Sequence, residues 1–330
     1  MKALLSETPG GPDSLVLRDL PEPIPGPGQV RIALRYCGIN YPDVLVIEDK
    51  YQFRPPRPFA PGFETSGVID ALGEGVTNLK VGDRVIAALS HGGLAEKAVT
   101  SAKECLPIPD TMPFDVAAGL LFTYVTSYHA LVDRGQLQAG ETLLVLGAAG
   151  GVGLAAVELG KALGARVIAA VSSEAKAAVA REYGADQTLI YPTGSIDAKA
   201  LAAQFKEACG PRGADVIYDP VGGDYAEPAL RSVAWKGRYL VIGFPAGIPK
   251  IPLNLPLLKG FDIRGVFWGG AKVNDPEQDA ANLHKLLELY AADKIHPKIS
   301  ACFSLPQGGE ALKKLLRREA IGKIVVACTA

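Results

Sequence analysis

The sequence predicts an α/β protein in which a doubly wound parallel sheet is inserted in a β-rich domain. Three observations predict it. From residue 142 onward, short apolar strands alternate with helical segments of roughly 10 to 15 residues, the pattern of a parallel sheet with right-handed crossovers. The first of those strands runs into a glycine cluster and then a helix, at TLLVLGAAGGVG. On either side of this block lie short strands punctuated by Pro and Gly, as in a compact, partly antiparallel β domain. A length of 330 residues accommodates about two such domains.

The elements follow in order. After an opening strand and turn at MKALLSETPGG, residues up to about Ile108 give strands at LVLRDL, QVRIALRYCGIN, SGVIDALG, DRVIAALS and AEKAVTS. PEPIPGPGQ and PRPFAPG are rigid connections. FDVAAGLLFTYVTSYHALVDRG is one long helix, apolar on one face and ended by Gly135. LLVL then leads to a helix stopped by Gly164, RVIAAV to one stopped by Gly184, and QTLIY to one stopped by Gly210. ADVIYD leads to a helix at DYAEPALRSVAW, followed by the strand GRYLVIGF, and a sixth strand is expected at FDIRGVFW. The tail carries a helix at NDPEQDAANLHKLLELYAADK, a strand at ISACFSL, a helix at QGGEALKKLLRREAIG and a closing strand at KIVVAC. It is too short for a domain of its own and is assigned to the N-terminal one. The β-rich domain is therefore drawn as 1–113 with 261–330, and the parallel-sheet domain as 114–260.

The chain is organised around Thr142–Gly153. A strand, a glycine turn and the start of a helix form the context of a dinucleotide fingerprint. Small residues at Ala149, Gly150, Gly151, Val152 and Gly153 let backbone approach a pyrophosphate, and the helix N-terminus offers it unpaired N–H groups. In the G-x-G-x-x-G spacing the first glycine is Ala148, so a tight turn that merely packs helix on sheet is the plain alternative. The second strand ends at Val171 and is followed by Ser172 and Ser173, with no carboxylate at its tip and Lys176 one turn on. Donors and positive charge there suit a 2′-phosphate, which makes NADPH the expected coenzyme. Glu174 leaves NAD open, and the plain alternative is that Ser172 or Ser173 caps the helix and Lys176 is a solvated surface charge.

Composition excludes several classes. Net charge is −1 with no basic run, which excludes a nucleic-acid footprint. Although 48% of residues are hydrophobic, no run reaches the roughly 18 apolar residues of a membrane span. The first residues have too short an apolar core for a signal peptide. Cys37, Cys105, Cys209, Cys302 and Cys328 are dispersed, which suits reduced thiols and a cytoplasmic setting.

CGINYPDVLVIEDKYQFRPPRPFAPGFETSGVI, GVTNLKVGDRV, LLFTYVTSYHAL, LGAAGGVG and the closing GKIVV together resemble the zinc-free quinone oxidoreductase branch of the medium-chain dehydrogenase/reductase superfamily. YQFRPPRPFAPG is similar to its 2-haloacrylate reductase and quinone-oxidoreductase-like subgroup. The resemblance covers nearly the whole chain. It implies a GroES-like β domain, a Rossmann domain, NADPH in the cleft between them, and a homodimer. Zinc alcohol dehydrogenases of the superfamily carry Cys, His and Cys at positions that match Asn40, Phe63 and Phe122. Phenylalanine cannot ligate zinc, so no metal is expected. His91, His129, His284 and His296 form no ligand pair.

By the same resemblance, Asn40 hydrogen-bonds near the nicotinamide ribose or the substrate. Thr126, Gly243 and Phe244 lie by the nicotinamide, Phe267 approaches through its backbone, Tyr191 contacts the 2′-phosphate side, and Lys323 reaches the coenzyme cleft. Proton delivery has four candidates, Tyr41, Asp43, Tyr51 and Tyr124, of which Tyr51 is the first choice; water can serve instead. The expected activity is NADPH-dependent reduction of a small electrophilic substrate: a quinone, an enone or a 2-substituted acrylate. A non-catalytic NADPH-binding protein is the rival, and an NAD-linked alcohol dehydrogenase is opposed by the missing ligands.

Overall fold

The chain forms two units, Met1–Phe122 with Pro297–Ala330, and Thr123–His296. The computed structural model describes residues 1–329. In the first unit the strands are β1 (Lys2–Ser6), β2 (Leu15–Asp19), β3 (Gln29–Ile39), β4 (Glu64–Leu72), β5 (Arg84–Ala88), β6 (Lys97–Ser101) and β7 (Cys105–Pro107). The second unit holds β8 (Thr142–Val145), β9 (Arg166–Val171), β10 (Gln187–Ile190), β11 (Ala214–Asp219), β12 (Val233–Val241) and β13 (Asp262–Gly265). The chain then returns to the first unit with β14 (Ile299–Ser304) and β15 (Lys323–Ala327).

β3 is the spine of the first unit. Its apolar positions alternate, so Val30, Ile32 and Leu34 are fully buried while their neighbours face outward. It pairs antiparallel with β4, β6 and β15, in a mixed sheet of order β14-β15-β3-β4-β5-β7. This is the GroES-like, β-rich domain. The returning strands join it through β15, which sets Ile324 opposite Ile39. A short helix over Tyr41–Ile47, not expected from the sequence, follows β3 directly; the backbone N–H of Asn40 at its head donates to Asp43 Oδ2 at 2.7 Å.

The second unit is a six-stranded sheet in the order β10-β9-β8-β11-β12-β13. Every pairing is parallel, as expected for a Rossmann sheet. Its inner strands β8, β9 and β11 are buried on both faces, which is why Leu143, Leu144, Val167 to Ala170, Val216 and Ile217 read as unbroken apolar runs.

Both bounds of this unit lie C-terminal to the 114–260 drawn from the sequence. β13 pairs in register with β12, from Arg238↔Asp262 to Val241↔Gly265. The following helix, Pro276–Ala291, is tied to the same unit by Asn282 Nδ2, which donates to Asp133 at 2.7 Å. Residues 261–296 thus extend the parallel sheet rather than the β domain. At the other end, the long helix expected from Phe114 is broken. Phe114–Ala117 is one piece, and from Leu121 the chain winds with wide turns on either side of Thr126–Tyr128. The Phe122 N–H donates to Glu64 Oε1 at 3.0 Å instead of continuing a regular helical ladder. The helix at DYAEPALRSVAW ends at Leu230, because Val233–Trp235 pair as strand, with Val233 opposite Ala214. Among the described residues, no helix is long and apolar enough to cross a membrane.

Candidate functional site

In the second unit, ligand-binding features gather where the parallel strands end. Ligands of doubly wound sheets bind outside the carboxyl ends of the strands, where the strand order reverses, here between β8 and β11. β8 runs through Leu146 to Gly147, whose φ of +56° is left-handed and turns the chain. The Gly150 N–H closes that turn on Gly147 O at 3.0 Å. The helix Gly151–Ala162 follows, and no side chain caps its N-terminus. Gly153 packs this helix on the turn so tightly that a Cβ would lie 2.2 Å from Gly147 O. Ala149, Gly150, Gly151 and Val152 thus present backbone at a bare helix N-terminus, the arrangement an anion needs.

The neighbouring tips bring in the other expected residues. Ser173 caps the helix Glu174–Glu182 by accepting the Lys176 N–H, and Lys176 Nζ donates to Ser172 Oγ at 3.1 Å. Glu174 is held by Arg181, which also donates to Thr188 at 2.7 Å. Tyr191 follows β10; its N–H donates to Val171 O at 2.9 Å, which fixes it beside Ser172 and Ser173. Its buried ring lies 5.0 Å from that of Tyr225. Thr126 is half-buried, and the next residue ties its helix to the glycine helix, Ser127 Oγ donating to Val152 O at 2.9 Å. Gly243 and Phe244 follow β12, Phe267 follows β13, and both phenylalanines are exposed.

Sequence reasoning missed Asp219 at the end of β11. Its Oδ1 accepts the N–H groups of Val221 and Gly222 at 2.7 and 2.9 Å, and its Oδ2 accepts the Tyr239 hydroxyl. Burial pushes this carboxyl above the usual carboxylate range, against those hydrogen bonds. An acid closing the apolar run VIY of ADVIYD, just before a Pro and two glycines, was the available signal.

The first unit contains a second cluster. Lys323 Nζ, 3% exposed, donates to Ile39 O at 3.1 Å, Asn40 Oδ1 at 2.7 Å and Glu64 Oε2 at 2.8 Å. An ammonium has three hydrogens, and these contacts take all of them. Lys323 therefore has none to give a coenzyme, and its part is to hold Asn40 and Glu64. Asn40 Nδ2 donates to Glu64 Oε2 at 3.0 Å and Gly38 O at 3.2 Å. Asp43 is fully buried, and its Oδ1 accepts the Gly62 N–H at 2.9 Å. Burial pushes Asp43 up to about 7, despite its two backbone donors and the Lys323 charge.

Beside this cluster, the three positions expected to lack metal ligands hold no tetrahedral donor set. Asn40 commits both amide hydrogens and one lone pair of Oδ1 to hydrogen bonds, and the rings of Phe63 and Phe122 lie 6.0 Å apart. Tyr51, half-buried, packs its ring 6.1 Å from Phe63. Burial, and secondarily Asp43, raise its phenol above the ordinary value. Zinc does not fit these residues. Among the described residues, no three His, Cys, Asp or Glu side chains converge as a metal site. Two of the proton-donor candidates are withdrawn: Tyr124 is buried and donates its hydroxyl to Glu158, while the oxygens of Asp43 accept backbone N–H groups. All five cysteines are free, with only Cys302 exposed.

Comparison with known proteins agrees with this architecture. Residues 26–110 match the alcohol dehydrogenase GroES-like domain family, and residues 151–288 the zinc-binding dehydrogenase family. A quinone oxidoreductase-like protein 2 homolog of Nematostella vectensis is 39% identical over 91% of this chain and 82% of its own. A mycobacterial protein solved in complex with NADPH superposes with a TM-score of 0.92 at 29% identity, over 99% of this chain and 100% of that one. Escherichia coli quinone oxidoreductase in complex with NADPH gives 0.90 at 26% identity, over 99% and 100%. The chain belongs to the medium-chain dehydrogenase/reductase superfamily, in its quinone-oxidoreductase-like group.

Proposed function

We propose that this protein is an NADPH-dependent, metal-free reductase of quinones or activated alkenes such as enones and 2-substituted acrylates. The observation that carries this function is the carboxyl edge of the parallel sheet: an open glycine turn, an uncapped helix N-terminus, and Lys176 joined to Ser172 at the next strand tip. Glu174, the acid next to that tip in sequence, is engaged by Arg181. The mycobacterial and E. coli relatives complexed with NADPH support the same coenzyme.

Bound NADPH supplies a hydride from the nicotinamide C4. Backbone N–H groups from Ala149 to Gly153 hold the pyrophosphate, and Ser172, Ser173, Lys176 and Tyr191 receive the 2′-phosphate. Thr126, Gly243, Phe244 and Phe267 flank the nicotinamide and exclude water. Once hydride has reached the electrophilic carbon, Tyr51 protonates the resulting enolate or hydroquinone anion and regains its proton from solvent.

We assign the partner as a second copy of this chain. β13 is an edge strand of the six-stranded sheet, with Ile263 exposed on it and Trp235, Leu257 and Leu258 exposed nearby in sequence and sheet. An unpaired edge beside apolar side chains suits pairing with another edge. Leu257→Glu with Leu258→Glu is expected to give a monomer by light scattering. The free cysteines suit the reducing cytoplasm.

Steady NADPH oxidation with a panel of quinones and enones tests the activity. Saturable turnover without stoichiometric zinc is expected. Affinity without turnover transfers the assignment to a non-catalytic NADPH-binding protein, and a protein whose fluorescence ignores NADPH is neither.

A further inference from the structure

The buried ion pair of Lys323 and Glu64 has no place in the proposed chemistry, yet it flanks Asn40 on two sides. Lys323 Nζ meets Asn40 Oδ1 at 2.7 Å, and Glu64 Oε2 meets Asn40 Nδ2 at 3.0 Å. Lys323 and Glu64 also bond each other at 2.8 Å, and neither is more than 3% exposed. An asparagine amide can normally turn over and exchange its oxygen and nitrogen. Here the exchange would set an NH2 against an ammonium and a carbonyl against a carboxylate, both repulsive in a buried site.

We infer that Lys323 and Glu64 are positioning residues that lock the Asn40 amide in one orientation, so that Asn40 meets a ligand only as a hydrogen-bond acceptor. Both amide hydrogens are spent, on Glu64 and Gly38, and the free valence is the second lone pair of Oδ1. An acceptor binds a hydroxyl, such as one on the coenzyme ribose. It cannot polarise a substrate carbonyl, which needs a donor. Of the three residues, Asn40 is the most exposed, at 8%. Glu64 reaches further through Oε1, which accepts the Phe122 N–H at 3.0 Å. The pair therefore ties together two of the three positions that match metal ligands in zinc-dependent relatives. This inference rests on the proposed NADPH binding, and the experiment separates the two.

Three variants test it, with NADPH dissociation constants, kcat and melting temperature measured for each. Asn40→Ala is expected to weaken NADPH roughly three- to tenfold, the loss of about one hydrogen bond. Glu64→Gln keeps Asn40 but sets a glutamine NH2 either against the Lys323 ammonium and the Asn40 amide or against the Phe122 N–H, so the lock is weakened, and NADPH affinity is expected to fall by about the same factor as in Asn40→Ala. In the Asn40→Ala/Glu64→Gln double variant the loss is expected to stay within about twofold of that in the single variants, because Glu64 acts through Asn40. Losses that multiply in the double variant would overturn the inference, and so would a Glu64→Gln protein that melts earlier yet keeps NADPH affinity within about twofold of the parent. An Asn40→Ala protein that folds and binds NADPH like the parent also overturns it, whereas a parent that binds no NADPH overturns the proposed function itself.

Discussion

Glu158 on the glycine helix binds the last residue of its own unit: its Oε1 accepts the backbone N–H of His296 at 2.9 Å, while its Oε2 accepts the Tyr124 hydroxyl. One buried carboxylate thus fixes segments at both ends of the Thr123–His296 unit. Burial pushes it up to about 7, against the hydrogen bonds of Tyr124 and His296.

A pH-dependent stability follows. At pH values between the ordinary 4.5 and about 7, folded Glu158 keeps a proton that the unfolded chain has released. Its contribution is fully present below the unfolded value and is lost as pH rises through about 7. Buried Asp43 acts in the same direction. Glu158→Gln keeps an acceptor for His296 and lets the Tyr124 hydroxyl turn to accept. Melting temperature in the parent should fall between about pH 5 and pH 8, and the variant should remove roughly 2–5 °C of that fall. Identical pH curves for the two proteins would dismiss the role of Glu158.

The glycine turn gives a prediction with an internal control. A Cβ on Gly153 would lie 2.2 Å from Gly147 O, whereas one on Gly150 has the same oxygen as its nearest neighbour at 3.4 Å and an ordinary φ of −77°. Gly153→Ala should therefore cost about 1–3 kcal/mol, with backbone unable to yield as a side chain would. Gly150→Ala should fold within about 0.5 kcal/mol of the parent yet bind NADPH more weakly, because its methyl group occupies space kept for phosphate. Urea denaturation and coenzyme titration measure the two effects, and equal stability losses would remove the distinction.

These contrasts also explain what could be read from the sequence. The strand–turn–helix at Leu143–Gly153 and the Ser172, Ser173 and Lys176 tip are local, so their residue order alone sets their geometry. Lys323 and Glu64 lie 259 residues apart and meet only because β15 and β4 both flank β3. No periodicity announces that meeting, and the resemblance gave Lys323 a ligand instead of a partner. A Glu opening the run ETSGVI and a Lys opening KIVVA, each a charge at the head of small or apolar residues, were the available sign that they belonged together. The placement of 261–296 failed for a related reason. FDIRGVFW reads as a strand, but only its pairing with β12 says which sheet it joins.

Tyr51 tests proton delivery. Its phenol is half-buried against Phe63 and raised by burial and by Asp43, which makes it a reluctant acid but a usable donor to a strongly basic enolate. Tyr51→Phe should lower kcat about 10- to 100-fold with enones while leaving the NADPH dissociation constant within about twofold. Quinones, whose reduced form takes protons readily from water, should lose less. Unchanged kcat with both substrates would hand protonation to solvent.

Coenzyme choice rests on Lys176. Its ammonium is anchored on Ser172 Oγ at 3.1 Å, and the helix it belongs to is capped by Ser173, so the charge is held at the tip of β9 rather than dispersed in solvent. A 2′-phosphate at that tip gains a charge-assisted contact that a 2′-hydroxyl does not. Lys176→Ala should therefore weaken NADPH by about 10- to 30-fold and NADH by no more than about twofold. The NADPH preference of the parent should shrink as salt is raised, since screening acts on the charged contact alone. Glu174, drawn to Arg181, should matter little: Glu174→Gln should leave the preference within about twofold, because its carboxylate is mostly exposed and screened by water and salt. Fluorescence titrations with both coenzymes at low and high salt measure all of these, and equal losses of NADPH and NADH affinity in Lys176→Ala would move the 2′-phosphate away from this strand tip.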